Sequence, residues 1–291
     1  VFILFFLSCH SNIYTGLDNI ASNDFEILKN KNIGLIVNHT SVDASGIHIV
    51  DLLSSIHDIY IENIFSPEHG YKGTKSAGEY IDDSFDKVTG AKIISLYGIS
   101  KIPSIDYFKN IDILVYDIQD IGSRYYTYIS SMAIMMDLAS KLDIPFVVLD
   151  RPNPLGRSIS GPILDLDFSS FVGMFPIPIR HGMTSGEIAS MINGEQWLKS
   201  GRKINLVVVK LDGWNKNPGY FDLPPSPNIG NFTTALSYAG MCLLEGTNIS
   251  EGRGTDFPFL YFGAPWIESL ELSRKLNNLS FNGIRFEPIS F

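Results

Sequence analysis

Five short β-branched, apolar runs separated by helical-looking stretches restrict this chain to few folds. The runs are NIGLIVN (32–38), IYIENIF (59–65), KIISLY (92–97), IDILVYD (111–117) and IPFVVLD (144–150). Unbroken apolar runs rich in Ile and Val suit strands covered on both faces, and therefore a parallel sheet. GIHIVDLLSSI (46–56) and YISSMAIMMDLASKL (128–142) carry apolar residues at helical spacing and serve as crossovers. The alternation predicts an α/β fold, a Rossmann-like, doubly wound and mostly parallel sheet. A chain of 291 residues, 45% of them hydrophobic, can bury such a core.

After Asp150 the texture changes. RPNPLG and GPILD bring proline and glycine together, as at a domain boundary. The expected division is a Rossmann-like domain over 14–160 and a smaller α/β domain over 161–291. Within the latter, SGEIASMINGEQWL (185–198) reads as a helix begun by Ser185 and Glu187, followed by the strand INLVVVK (204–210). Residues 1–9, VFILFFLSC, resemble the end of a truncated secretory signal, and Leu7-Ser8-Cys9 a loose lipobox. The alternative is a buried N-terminal strand. Export and a lipid on Cys9 would place the protein in the bacterial envelope or periplasm, with no other membrane attachment expected. A net charge of −9 argues against nucleic acid as a partner. The only cysteines, Cys9 and Cys242, make no disulfide framework.

In an open parallel sheet, ligands bind outside the carboxyl ends of the strands. Each predicted strand here runs into side chains that bond or titrate. Asn38-His39-Thr40 follows the first, Ser66-Pro67-Glu68-His69-Gly70 the second and Tyr97-Gly98 the third. Asp117 to Arg124 follows the fourth, and Asp150-Arg151-Pro152-Asn153 the fifth. Polar loops on one rim predict a polar pocket. No G-x-G-x-x-G follows the first strand, so a dinucleotide is not expected despite the fold. The G-x-S-x-G elbow of esterases is also missing. His39, His69, Asp117 and His181 have no metal-ligand spacing, so neither metal nor cofactor is expected.

The rim is rich in acids: Glu68, Asp117, Asp120 and Asp150, with Glu245 and Glu251 from the second part. Hydrolysis of a glycosidic bond needs a proton donor at the leaving oxygen and a second group for the cationic ring carbon. Amides (Asn38, Gln119, Asn153) and the rings of Tyr97, Tyr125, Tyr126 and Tyr128 suit a sugar. Simpler roles are open for several. Asp117 can cap a helix, Asp120 can pair with Arg124, and Asp150-Arg151 can be an ordinary turn. Glu68 stands out because Pro67 fixes its approach and Gly70 frees its exit.

The motifs SPEHG, SLYG, DIQDIGSRYYTYISSM, PFVVLDRPNPLG, GPILD, SFVGMFPIPIRHGMT, GEIASMIN, SPN, LLEGTNISEGRGT and FGAPW occur in one order. From about Thr15 to Phe291 this closely resembles the exo-β-N-acetylmuramidase family, formerly a bacterial domain of unknown function. The resemblance implies an exported glycosidase that releases N-acetylmuramic acid from the non-reducing end of peptidoglycan fragments. Its site would lie between the two domains, and its partner would be a muropeptide or disaccharide substrate. By the same resemblance Glu68, in the PEHG motif, is the catalytic glutamate, and His69 and Asp120 are pocket positions; our reading makes Glu68 the general acid, His69 the residue that orients it and Asp120 the first candidate for the second group. The substrate's acetamido group is an alternative second group. Asn38, Asp117, Gln119, Arg124, Tyr126, Tyr128, Arg151, Asn153, Arg180, His181, Glu245, Glu251 and Arg253 carry over as substrate-binding positions. Arg124, Arg151 and Arg253 are the cations offered to the lactyl carboxylate. Two departures accompany the match: Ser160 stands where relatives have an acid before Gly-Pro, and relatives continue past Phe291. A muropeptide-binding protein without catalysis is the alternative function.

Overall fold

The structure is a computed structural model describing residues 13–67, 71, 84–96, 102–219 and 221–291. Glu68, His69, Tyr97 and Cys9 lie outside the described residues. Seven strands form one sheet: β1 (Lys31–Val37), β2 (Ile59–Ser66), β3 (Ser84–Phe85), β4 (Lys92–Ser95), β5 (Ile113–Asp117), β6 (Phe146–Leu149) and β7 (Leu206–Val209). Their spatial order is β3-β4-β2-β1-β5-β6-β7. Every pairing is parallel except β3 with β4. The expected mostly parallel α/β sheet is therefore present, and the strands begin or end within a few residues of the apolar runs.

The helices are α1 (Gly16–Ser22), α2 (Ile49–Ser54), α3 (Tyr128–Leu142), α4 (Ser185–Gly194), α5 (Phe232–Met241) and α6 (Ser269–Asn278). Period-two alternation sends Ile33, Leu35 and Val37 of β1 to one face of the sheet. There they join Leu17 and Ile20 of α1, and Ile49, Val50 and Leu53 of α2, in one buried cluster. The other face takes Ile36 and Gly34. A Cβ on Gly34 would lie 2.5 Å from the Leu114 side chain and 3.2 Å from that of Phe65, so any larger residue would have to displace core side chains. Burial on both faces explains why the strands read as continuous apolar runs.

Helix α4 is begun by Thr184, one residue earlier than expected. Its hydroxyl accepts from the Glu187 N–H at 3.1 Å, and the Glu187 carboxylate accepts from the Thr184 N–H at 2.9 Å. This reciprocal box needs a spacing of three, which Thr184–Glu187 has and Ser185–Glu187 lacks. Helix α1 has the same device, with Thr15 and Asp18.

Two compact units are present, residues 1–227 and 228–291. Residues 161–227, grouped by sequence with the second domain, supply α4 and β7 to the first unit, where β7 extends the sheet beside β6. The second unit contains α5, α6 and a single bridge between Ser250 and Gly263 among its described residues.

Candidate active site

From β1 the chain winds outward through β2 to β4, and from β5 it winds the other way to β6 and β7. The neighbouring carboxyl ends of β1 and β5 are thus the switch point of the sheet, the place where open parallel sheets bind ligands. Asn38, the residue after β1, is fully buried. Its Oδ1 accepts from the Thr40 N–H at 2.9 Å and the Thr40 hydroxyl at 2.6 Å. The Thr40 hydroxyl oxygen in turn accepts from the Gln119 N–H at 3.0 Å, and the Ser41 hydroxyl donates to the Asp117 carbonyl. Thr40 and Ser41 thereby tie the β1 turn to the β5 loop. Sequence reasoning placed Thr40 on the rim without a role and passed over Ser41, although hydroxyls directly after a strand-end Asn are a turn signal.

Asp117 closes β5 and is completely buried; its carboxylate meets the equally buried Arg151 from the loop after β6. Arg151 donates from Nε to Oδ1 at 2.5 Å and from Nη2 to Oδ2 at 2.9 Å, and Nη2 also reaches the Val42 carbonyl at 2.9 Å. Burial opposes the guanidinium charge, and Asp117 more than offsets it, holding the Arg151 pKa above its ordinary value. This forked pair locks the β1, β5 and β6 loops together. Asp117 therefore pairs with Arg151 instead of capping a helix.

Three residues on, Asp120 is also buried, and its Oδ2 accepts from the Gly122 N–H at 2.7 Å. The same oxygen stands 3.7 Å from Nε2 of buried His181, while Oδ1 has no hydrogen-bond partner among the described residues. Gly122 is in the left-handed region at φ 83°, and a Cβ there would sit 2.1 Å from Asn153 Oδ1. Only glycine allows this approach. The Asp120–Arg124 pair, one of the simpler roles open from sequence, does not form. The Arg124 Nη1 donates instead to the Pro162 and Ile177 carbonyls at 2.9 and 2.5 Å.

The other rim residues fall into frame and lining. Gln119 donates to the Asp120 and Pro152 carbonyls at 2.6 and 2.8 Å, and Asn153 to the Met183 carbonyl at 2.9 Å. Asp150 accepts from the Thr184 hydroxyl at 2.9 Å and the Gly186 N–H at 2.8 Å, so its carboxylate sits on the amino end of α4. Burial raises its pKa to about 6 against those hydrogen bonds. Tyr126 and Tyr128 stack edge to face at 4.7 Å. Tyr128 is only 1% exposed and donates to the Pro225 carbonyl at 3.2 Å, which places its ring in the core. Arg180 donates to the Leu155 carbonyl at 2.9 Å, and its backbone bridges Ser123 and exposed Ser160; burial lowers its pKa. His39 is held by the Pro224 carbonyl at 2.8 Å.

In the second unit, Glu245, Glu251 and Arg253 come together. The Arg253 guanidinium donates to Glu245 at 2.9 Å and faces Glu251 at 3.5 Å. The cation carries two carboxylates of its own unit. Cys242 is a free thiol whose pKa burial pushes up to about 12. Among the described residues, no three His, Cys, Asp or Glu side chains gather as a metal site would require.

The match to known proteins covers almost the whole chain. Residues 33–233 match the family model described as exo-beta-N-acetylmuramidase NamZ, N-terminal, and residues 236–291 its C-terminal counterpart. The chain is 45% identical over 285 residues to the peptidoglycan beta-N-acetylmuramidase NamZ of Bacillus subtilis strain 168, covering 96% of this chain and 68% of that protein. Two crystal structures of DUF1343-family proteins from Bacteroides fragilis NCTC 9343 share the fold. One has a TM-score of 0.86 at 37% identity, covering 97% of this chain and 73% of the other. The second has a TM-score of 0.78 at 39% identity, with 97% and 72% covered. With both family models matched in order and that identity sustained along the chain, this protein belongs to the exo-β-N-acetylmuramidase family.

Proposed function

We propose that this chain is an exo-acting β-N-acetylmuramidase that releases N-acetylmuramic acid from the non-reducing end of peptidoglycan fragments. The observation that carries the reading is the 45% identity to a peptidoglycan muramidase across 96% of the chain. The switch-point loops support it, because their acids and amides suit the hydrolysis of a hydroxyl-rich substrate. Glu68 donates its proton to the glycosidic oxygen as the C1–O bond breaks, and His69 orients it. Asp120 is the second group, facing the positive charge that develops at C1. Water supplies the new hydroxyl at C1, and the proton it gives up replaces the one lost by Glu68, so the enzyme is restored and one water is consumed per bond cleaved.

The lactyl carboxylate of muramic acid needs a cation, and the arrangement favours Arg124 over the other two candidates. Arg151 is engaged by Asp117, and Arg253 by Glu245 and Glu251, whereas the Arg124 bonds above go to neutral carbonyls. An exported protein of the envelope, held by a lipid on Cys9, would meet this substrate where it is made. The test is to incubate the protein with a disaccharide of β-linked N-acetylmuramic acid and N-acetylglucosamine and to assay free N-acetylmuramic acid. Release by the wild type and its loss in Glu68→Gln are expected. Binding without release would favour a muropeptide-binding protein.

A further inference from the structure

Asp120 and His181 are both buried, come from different loops, and face each other at 3.7 Å. The two loops are joined by the Ser123–Arg180 bridge and the Arg124 N–H bond to the Ile179 carbonyl at 2.8 Å, and each has further ties. Gln119 ties the backbone before Asp120 to the Thr40 hydroxyl and the Pro152 carbonyl. On the other side, the Thr184 cap and the Asn153 bond to the Met183 carbonyl hold the turn that carries His181. His181 Nδ1 accepts from the Met183 N–H at 3.3 Å. A ring nitrogen that accepts carries no proton, so the neutral imidazole bears its hydrogen on Nε2, the atom directed at Asp120.

Nε2 faces Oδ2 across 3.7 Å, beyond hydrogen-bond reach, and like Oδ1 it has no hydrogen-bond partner among the described residues. We infer that His181 is the positioning residue for Asp120, its Nε2–H biasing Oδ2 by its dipole so that Oδ1 is turned to the substrate. A buried carboxylate oxygen without a partner is costly and calls for a reason. The neighbouring ion pair shows that this loop can satisfy a buried acid fully, since Asp117 has both oxygens bonded to Arg151. At Asp120 one oxygen is held by the Gly122 N–H and faced by His181, while the other is left. That division of labour is what an acid acting on a bound ligand requires. A histidine that faces a carboxylate in this way works through it and has no need to touch the sugar.

The inference rests on the glycosidase reading, and two variants separate the ring's two nitrogens. His181→Asn keeps an acceptor near the Nδ1 position and loses the Nε2 donor. His181→Gln keeps a donor near Nε2 and loses the Nδ1 acceptor. With the N-acetylmuramic acid glycoside as substrate, His181→Asn should lose kcat by about 10- to 100-fold with KM and thermal midpoint little changed. His181→Gln should retain kcat within about threefold, since the donor to the charged group survives. If His181 serves only to cap the Met183 turn, the order reverses, and an Asn variant as active as the Gln variant overturns the inference. A second measurement needs no turnover. The imidazole nitrogen spectrum of the wild type should show the Nε2–H tautomer at His181, with a resonance displaced in Asp120→Asn. An Nδ1–H tautomer, or a resonance indifferent to Asp120, would also overturn it. An inactive wild type with the expected tautomer would instead count against the glycosidase reading alone.

Discussion

Asp117, the last residue of β5, and Asp120, three residues on in the loop that follows, are both buried, yet their surroundings differ in kind. The Asp117 carboxylate is saturated, with a forked arginine on its two oxygens at 2.5 and 2.9 Å. Among the described residues Asp120 has one amide, a histidine at a longer distance and one unpartnered oxygen. Saturation marks a group that holds loops together, because nothing remains to meet a ligand. Incomplete bonding marks a group whose full complement arrives with something else. The difference turns two equivalent acids in the sequence into a brace and a candidate for chemistry.

Arg151→Met offers the strongest way to break that contrast. Removing the cation leaves the Asp117 carboxylate buried and unpaired, which should cost about 3–5 kcal/mol in unfolding free energy. Chemical denaturation checks it, and the double change Asp117→Leu with Arg151→Met should recover much of the loss. A small effect of Arg151→Met would remove the brace from the account.

Asp150 supplies the next largest effect, and it is read through pH. Its carboxyl titrates near 6 in the fold, above its ordinary value of 3.8. The folded state therefore holds that proton more tightly than the unfolded chain. Ionisation costs stability as pH rises from about 4 to about 6, and the full cost is present above that window. A rise of about two units corresponds to about 3 kcal/mol. Asp150→Asn should flatten the decline in unfolding free energy between pH 4 and 6. An unchanged pH profile in that variant would contradict the assignment.

Thr184→Ala is the smallest of the three. It removes the α4 cap and a hydrogen bond to Asp150, at a cost of about 1–2 kcal/mol. The lost hydroxyl also stabilised the Asp150 charge, so the variant should shift the Asp150 titration upward. Thermal unfolding at pH 5 and pH 7 measures both consequences, and a larger loss at pH 7 is expected.

The sheet was legible because β1, β2, β5 and β6 are buried on both faces and so read as apolar runs. Helix α1 was missed since its seven residues, GLDNIAS, are too few to display a helical stripe. The rim was legible as well, because strand ends are marked by the switch from apolar to polar residues. Pairing within the rim was not. Arg124 and Arg151 are chemically equal partners for a nearby acid, and only the adjacency of β5 and β6 brings Asp117 to Arg151. Asp150 likewise looked like a rim acid or a turn. Its place on the amino end of α4 depends on the chain returning there more than thirty residues later.

The contrast between the two acids is tested most directly by turnover of an N-acetylmuramic acid glycoside in Asp120→Asn, read beside its unfolding midpoint. A catalytic carboxylate replaced by its amide should lose about 10²- to 10⁴-fold in kcat/KM. The midpoint should stay close to wild type, because Gly122 keeps an oxygen to bond. Wild-type turnover in that variant would contradict the assignment of chemistry to Asp120.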